Sequence, residues 1–350
     1  MKLSIILDVD DVLLDFNESL LTKLQQEKGY NPPLTIEDIS SWDCLENPVV
    51  NERFKYANSE FFLSQKPYSG AQEFIRELSK YCEIFIHTAV YPQYIPERNK
   101  RILELFPEIK PEHILYGNRK DLSRATFMLD DCPKNILDSN AEVPILFRRP
   151  WNSHLTGLVA VNTYDDVLAL IRLYIESFNP SKKLEENSVI ALIGPSGSGK
   201  TEIAKSVSET MNYKYPVIYS TKIREKYQYC TKKEFLSLKD AGKLLEYSVY
   251  GKHFYGIDKE SLDACIKKSS IIIPLDITGI LMLKQKYPVY IVYVDRDKKD
   301  IIENILKKDL SIDEQVNRIL AIDSEKYIKN FADTVISSAS DLTKLIETAH

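Results

Sequence analysis

The chain has 350 residues, more than one ordinary domain holds, so its length predicts two or three. Its 44% hydrophobic and 28% charged residues, with 11 Gly and 16 Pro, exclude a fibrous or disordered chain. Forty-six Lys and Arg against 51 Asp and Glu leave a formal charge of -5, which argues against a general nucleic-acid coat.

Five cysteines (Cys44, Cys82, Cys132, Cys230, Cys265) are scattered without a Cys-x-x-Cys, which predicts reduced thiols rather than a disulfide scaffold. The five histidines show no metal-ligand spacing. Asp8, Asp10 and Asp11 interrupt the apolar start of the chain, as a secretory leader would not. No apolar run approaches the roughly 18 residues that span a bilayer, so the expectation is a cytoplasmic protein without a membrane partner.

In chain order, two blocks repeat short apolar strands alternating with helical patterns, the signature of parallel α/β sheets. The first block predicts strands at Leu3–Leu7, Ile84–His87, Thr126–Leu129, Ile145–Phe147 and Val159–Val161. A helix at about Tyr164–Phe178 leads to the polar linker 179–188. The second block predicts strands at Val189–Ile193, Val217–Tyr219, Ile271–Leu275, Val289–Val294 and Thr334–Ile336. Residues 16–66 interrupt the first block with helical periodicity and aromatics. An insertion there lies over the carboxyl edge of the sheet, so it predicts a cap.

Asp8 and Asp10 follow the first strand with their side chains on one face. One carboxylate can attack phosphorus, and the other can protonate the leaving group and later activate water. Mg²⁺ is needed to bring an anionic nucleophile to an anionic phosphate. Later features complete the set. Thr88 ends a strand where a hydroxyl can bind phosphate, Lys120 can balance phosphoryl charge, and Asp130-Asp131 ends another strand ready for Mg²⁺. This set and order, with Asp8-Val-Asp-Asp, Phe61-Phe62, His87-Thr-Ala and Leu129-Asp-Asp, resembles the haloacid dehalogenase (HAD) phosphohydrolases. Within them it is most similar to the 5'(3')-deoxyribonucleotidase branch, over about residues 1–175. The resemblance implies Asp8 as nucleophile and Asp10 as acid/base. It also implies Mg²⁺ held by Asp8, the Asp10 carbonyl and Asp131, with Asp130 close behind. Phe16, Trp42 and Tyr56 align with residues that wall the nucleoside pocket. Asp11 stands where the family has Gly, and Ala89 where the branch often has Ser.

Gly194-Pro-Ser-Gly-Ser-Gly-Lys-Thr201 follows an apolar strand and opens a helical pattern. It matches the phosphate-binding loop G-x-x-x-x-G-K-[S/T] in its required context. The backbone of Gly194, Ser196, Gly197, Ser198 and Gly199 would cradle phosphates, Lys200 would reach the β- and γ-phosphates, and Thr201 would hold Mg²⁺. The loop specifies a nucleoside triphosphate donor, ATP, but not its acceptor.

From about Val189 onward the chain resembles guanylate kinase and related nucleoside-monophosphate kinases. The carriers are this loop, Ser220-Thr-Lys-Ile-Arg224, Leu245–Gly256, Leu275-Asp-Ile-Thr-Gly279 and the helix of Arg318. The resemblance implies acceptor contacts from Ser220, Arg224, Tyr227, Glu246, Tyr255 and Asp276, and a lid arginine, Arg318, on the transferring phosphoryl group. The departures are a shortened loop after Arg224, Ile257 for a base-contacting Ser or Thr, Thr278 for an Asp, and Lys308 for a lid Arg. The phosphoryl-transfer parts match better than the base-reading parts.

The resulting expectation is two α/β domains. Residues 1–178 would form a HAD-like Rossmannoid parallel sheet with a helical cap at about 16–66. Residues 189–350 would form a P-loop, guanylate-kinase-like parallel sheet. The expected function is bifunctional: an Mg²⁺-dependent (deoxy)nucleoside-monophosphate phosphatase and an ATP-dependent (deoxy)nucleoside-monophosphate kinase, with small nucleotides as partners. Two other readings stay open. A 5'-kinase/3'-phosphatase for nucleic-acid ends would act on a 5'-OH oligonucleotide and ignore mononucleotides. A guanylate-kinase-like binding scaffold would turn over no ATP.

Overall fold

The computed structural model describes residues 3–39, 48–153, 155, 158–178, 182–223, 227–250, 253–308 and 310–349. Of these, the side chains of Glu246, Ser248, Val249, Tyr250, Asp313, Asn317, Ser324, Glu325 and Lys326 are not described. The chain forms two compact units, Met1–Ser153 with Ala160–Leu168, and His154–Val159 with Ala169–His350. The division falls inside the helix Tyr164–Ser177, after Leu168.

The first unit is built on a six-stranded parallel sheet in the order β3-β2-β1-β4-β5-β6. Its strands are β1 (Leu3–Leu7), β2 (Cys82–Thr88), β3 (Ile114–Tyr116), β4 (Phe127–Asp130), β5 (Val143–Phe147) and β6 (Ala160–Val161). Strand β1 pairs with both β2 and β4, so its run Leu-Ser-Ile-Ile-Leu is apolar nearly throughout. Leu7 lies opposite Ile86 on one side and Leu129 on the other. That register brings Asp8, Thr88 and Asp130 out along one carboxyl edge. Strand β3, absent from the sequence expectation, is a three-residue, partly exposed strand next to β2. Its three residues, Ile-Leu-Tyr, are too few to make a readable apolar run.

Between β1 and the helix Ala71–Leu78 that precedes β2 lie the helices Asn17–Lys28, Pro48–Asn51 and Ser59–Ser64, with short 3-10 turns at Ile36–Asp38 and Glu52–Tyr56. They carry their own small cores. Leu20, Phe61 and Phe62 form one, with Phe16, Tyr56 and Tyr94 against it. Leu21, Leu24, Ile39, Val50 and Trp151 form another. Asn58 opens the last helix by accepting a bond from the Phe61 backbone N–H.

The second unit holds a four-stranded parallel sheet, ordered β12-β7-β13-β14. A separate four-stranded sheet is ordered β10-β11-β8-β9. The strands are β7 (Val189–Ile193), β8 (Ile218–Ser220), β9 (Gln228–Tyr229), β10 (Leu244–Tyr250), β11 (His253–Asp258), β12 (Ile271–Pro274), β13 (Val289–Val294) and β14 (Thr334–Ile336). One sequence expectation is corrected here. The strand expected at Val217–Tyr219 does not join the parallel sheet; β8 pairs antiparallel with β11 and parallel with β9. Strands β9 to β11 are rich in Tyr and polar residues, so they lack the apolar runs by which buried parallel strands are read. Among the described residues, no helix is long and apolar enough to cross a membrane.

The loop between β7 and the helix Lys200–Thr210 depends on glycine at specific points. Gly197 has φ +91°, and a Cβ there would sit 2.9 Å from the Ile301 carbonyl oxygen. Gly199 has φ +92° but open space where a Cβ would go. Gly197→Ala is therefore expected to destabilise the protein by about 2–3 kcal/mol and Gly199→Ala by about 1 kcal/mol. Urea unfolding of both variants checks the order.

Candidate active sites

In the first unit, the carboxyl edge gathers three carboxylates, from Asp8, Asp130 and Asp131. All three are buried, and one ligand oxygen from each lies within 4.8 Å of the others. Lys120 Nζ sits 2.8 Å from Asp8 and 2.7 Å from Asp130. Burial opposes the lysine's charge, but Asp130 and Asp8 outweigh it and hold the ammonium charged. Burial pushes Asp130 up to about 6 against the pull of Lys120, and raises Asp131 well above the usual carboxylate range.

One ammonium cannot neutralise three carboxylates. The Oδ1 of Asp131 is buried without a hydrogen-bond partner among the described residues. A hard divalent cation with oxygen ligands fits this donor set. Lys120 arrives in the turn Lys120–Leu122, after β3, rather than from the end of a strand. The Thr88 hydroxyl, also fully buried, has no partner among the described residues. An acceptor such as a phosphate oxygen would satisfy it.

Asp10 lies outside the carboxylate trio. Its two oxygens accept from Arg98 Nη2 at 2.7 and 2.8 Å, and Oδ1 also accepts from Gln65 Nε2 at 3.0 Å. Burial raises its carboxyl above the ordinary value, Arg98 opposes that rise, and Asp8 adds to it.

Asp11 explains its own departure from the family. Its φ is +55°, a conformation glycine adopts freely and Asp tolerates. Its buried carboxylate accepts from the Phe16 and Asn17 backbone N–H groups, Asn17 Nδ2 and the Tyr68 hydroxyl. It thereby ties the start of the cap's first helix to the site loop.

Several supporting residues escaped the sequence reading. Trp151 Nε1 donates to Asp131 Oδ2 at 3.0 Å. Asn152 donates to the Asp131 carbonyl at 2.8 Å, and Asn135 reaches both Asp130 oxygens at 3.1 Å. Trp151 and Asn152 follow the carboxyl end of β5, so the same edge rule that singled out Thr88 points to them. Arg98 carries no such signal, because it stands mid-helix in Ile95–Leu105.

The expected pocket aromatics are brought together in part. Phe16 meets Phe61 at 5.5 Å and Phe54 at 6.3 Å between ring centroids. Tyr56 packs at this cluster, while its hydroxyl donates to Glu27 at 2.6 Å. Trp42 lies outside the described residues.

In the second unit, Gly194 to Gly199 link β7 to the helix Lys200–Thr210. Gly194, Gly197 and Gly199 all have φ in the range that favours glycine. The Ser198 hydroxyl is buried without a partner among the described residues. Lys200 Nζ donates to the Gly194 and Pro195 carbonyls at 2.5 and 2.8 Å. Thr201 is exposed at the start of its helix. Arg318 donates to the Ser196 hydroxyl at 3.0 Å and pairs with Glu314, so the expected lid arginine reaches the loop.

Of the residues expected at the acceptor, Ser220, Glu246 and Tyr255 stand in the second sheet and Tyr227 just before β9. Ser220 lies opposite Tyr255 across β8 and β11. The Tyr227 and Tyr255 rings meet edge to face at 6.2 Å. Ser220's own hydroxyl bonds within a turn to Lys222. Asp276 caps the helix Ile277–Lys284 by accepting from Gly279 N–H at 2.7 Å. Arg224 lies outside the described residues, and so does the side chain of Glu246, whose backbone pairs with Ile257. Ile257 is buried in that sheet. The second Asp-x-Asp, Asp295 to Asp297, is structural: Asp295 pairs with Lys329 and Asp297 caps the helix Lys298–Leu306.

Both sites fall in regions that match known enzyme families. Residues 2–177 match the family "5' nucleotidase, deoxy (Pyrimidine), cytosolic type C protein", and residues 186–347 match "Guanylate kinase". A Staphylococcus aureus (strain Mu50) protein named "Putative 5'(3')-deoxyribonucleotidase" is 27% identical over 176 residues, covering 47% of this chain and 92% of that protein. The guanylate kinase of Thermotoga maritima is 26% identical over 159 residues, covering 42% of this chain and 76% of that protein. The chain thus belongs to the deoxyribonucleotidase family, whose model spans half of it, and its C-terminal half matches the guanylate kinase family. Both are enzyme families of nucleotide metabolism, one of phosphohydrolases and one of phosphotransferases.

The buried Lys120 gives a direct test of the first site's electrostatics. Lys120→Met leaves Asp8 and Asp130 without a counter-charge and is expected to cost about 3 kcal/mol or more of stability in EDTA. Urea unfolding measures the loss, and Mg²⁺ should restore part of it only in protein whose Asp131 is intact.

Proposed function

We propose that the N-terminal half hydrolyses a (deoxy)nucleoside monophosphate and the C-terminal half phosphorylates one with ATP. The observation that carries the first activity is the buried trio Asp8, Asp130 and Asp131 with Lys120 between two of its members. In this reading Asp8 attacks phosphorus while the P–O bond to the nucleoside breaks, and Asp10 gives its proton to the departing oxygen. Asp10 then takes a proton from water, whose oxygen attacks the aspartyl-phosphate; the P–O bond to Asp8 breaks and phosphate leaves. Lys120 and the Thr88 hydroxyl hold the phosphoryl oxygens. The residues that would hold Mg²⁺ are Asp8 and Asp131, with the Asp10 carbonyl, and Asp130 orders the group through Lys120 and Asn135. The ion would offset charge between nucleophile and phosphate. Phe16 and Tyr56, packed against the buried Phe61 and Phe62, would wall the nucleoside pocket together with Trp42.

The second activity rests on the loop Gly194–Thr201, with its positive-φ glycines and a buried Ser198 hydroxyl that has no partner among the described residues. In this reading the loop cradles the triphosphate of ATP, Lys200 leaves its carbonyl partners for the β- and γ-phosphates, and Thr201 supplies a Mg²⁺ ligand. Arg318 neutralises the phosphoryl group in transit. Ser220, Arg224, Tyr227, Glu246, Tyr255 and Asp276 receive the acceptor. Buried Ile257 replaces a polar base contact, so guanine need not be the base. The domains would span 1–178 and 189–350, and the two activities would have different nucleotide preferences, since a shared one would only cycle phosphate.

A panel of common ribo- and deoxyribonucleoside monophosphates, with ATP and Mg²⁺, tests the assignment. Asp8→Asn is expected to abolish phosphate release from monophosphates and spare ATP-dependent phosphorylation. Lys200→Ala is expected to do the reverse. Loss of both activities in either variant, or activity confined to a 5'-OH oligonucleotide, would overturn it.

A further inference from the structure

Arg98 is fully buried, on the helix Ile95–Leu105. A single nitrogen, Nη2, reaches both oxygens of Asp10, at 2.7 and 2.8 Å. Its Nε and Nη1 have no hydrogen-bond partner among the described residues. Its guanidinium lies over the Phe62 ring, 4.9 Å from the centroid.

One turn along the same helix, Arg101 Nε donates to the Gln65 backbone carbonyl at 2.7 Å. Gln65 in turn donates its side-chain amide to Asp10 Oδ1 at 3.0 Å. The helix therefore grips Asp10 twice, once directly and once through Gln65.

Arg53, buried in the cap, divides its donors between the Asn17 side chain at 2.8 Å and the Val50 carbonyl at 2.9 Å. Arg98 bonds no carbonyl among the described residues and directs its charge at one carboxylate. A buried cation is costly without a paired anion, so this contact is strongly favoured. A proton-transferring carboxylate must also present one oxygen to the reacting atom in a narrow range of angles.

We propose that Arg98 is the positioning residue of the phosphatase half. It fixes the orientation of the Asp10 carboxylate, with Gln65 and Arg101 supporting it, so that Asp10 delivers its proton to the leaving oxygen. The proposal rests on the reading of Asp10 as the acid/base.

The test uses the full chain with Mg²⁺ and two substrates. Deoxyuridine 5'-monophosphate releases an alkoxide-like oxygen that needs a proton. p-Nitrophenyl phosphate releases a stable anion that does not. For Arg98→Met, kcat on the nucleotide should fall about 10- to 100-fold with KM within about twofold, and the pre-steady-state burst of nitrophenolate should slow by less than about threefold. Arg98→Lys should recover part of the kcat. Should Arg98→Met fail to fold, Arg98→Lys carries the same comparison, with a smaller loss confined to the nucleotide. An equal loss on both substrates, a change in KM alone, or unaltered kinetics would overturn the role of Arg98. A wild-type chain inert toward both substrates and every monophosphate would instead overturn the phosphatase reading itself.

Discussion

Three carboxylates packed into one buried pocket repel each other, and the N-terminal half is organised around that repulsion. Parallel strands β1 and β4 end side by side, so Asp8, Asp130 and Asp131 arrive together whether or not their charges agree. Lys120 offsets part of the cost from between Asp8 and Asp130. Trp151, Asn152 and Asn135 spend donors on the acidic pair. What is left over, among the described residues, is an Asp131 oxygen without a hydrogen-bond partner, the feature by which the donor set fits a cation.

The neighbouring polar residues divide into two networks that touch the same loop. Asp11 faces the cap: it holds the start of the helix Asn17–Lys28, and Asn17 passes the connection to Arg53. Asp10 faces the helix Ile95–Leu105 through Arg98. Two adjacent aspartates are thus held by different elements, Asp11 by the start of the cap helix and Asp10 by the helix Ile95–Leu105. Backbone geometry separates them, because the positive φ at Asp11 turns its side chain away from the direction taken by Asp10.

The C-terminal half meets its constraint by backbone rather than by charge. The loop can bend so tightly only because Gly194 and Gly197 leave room for the Val294 and Ile301 carbonyls, each 2.9 Å from where a Cβ would lie. Lys200 bonds the loop's own carbonyls, and Arg318 bonds its serine. The loop is thereby lined with donors whose present partners an anion can replace.

Much of this was legible in the residues themselves. Apolar runs located β1, β4, β7 and β13, and the motifs after them marked Asp8, Asp10, Asp130 and the Gly194–Thr201 loop, because strand burial and phosphate cradling impose local patterns. Strands β3 and β9 to β11 were not legible, the first for its length and the others for want of an apolar run, and β8 was assigned to the wrong sheet. Which sheet a strand joins is settled by partners far along the chain. Nor could spacing reveal that Arg98 meets Asp10 from 88 positions away, or that Trp151 reaches Asp131. The carboxylates themselves were written in the sequence; which donor holds each of them was decided only by folding, since a hydrogen bond depends on distance in space and not on distance in the chain.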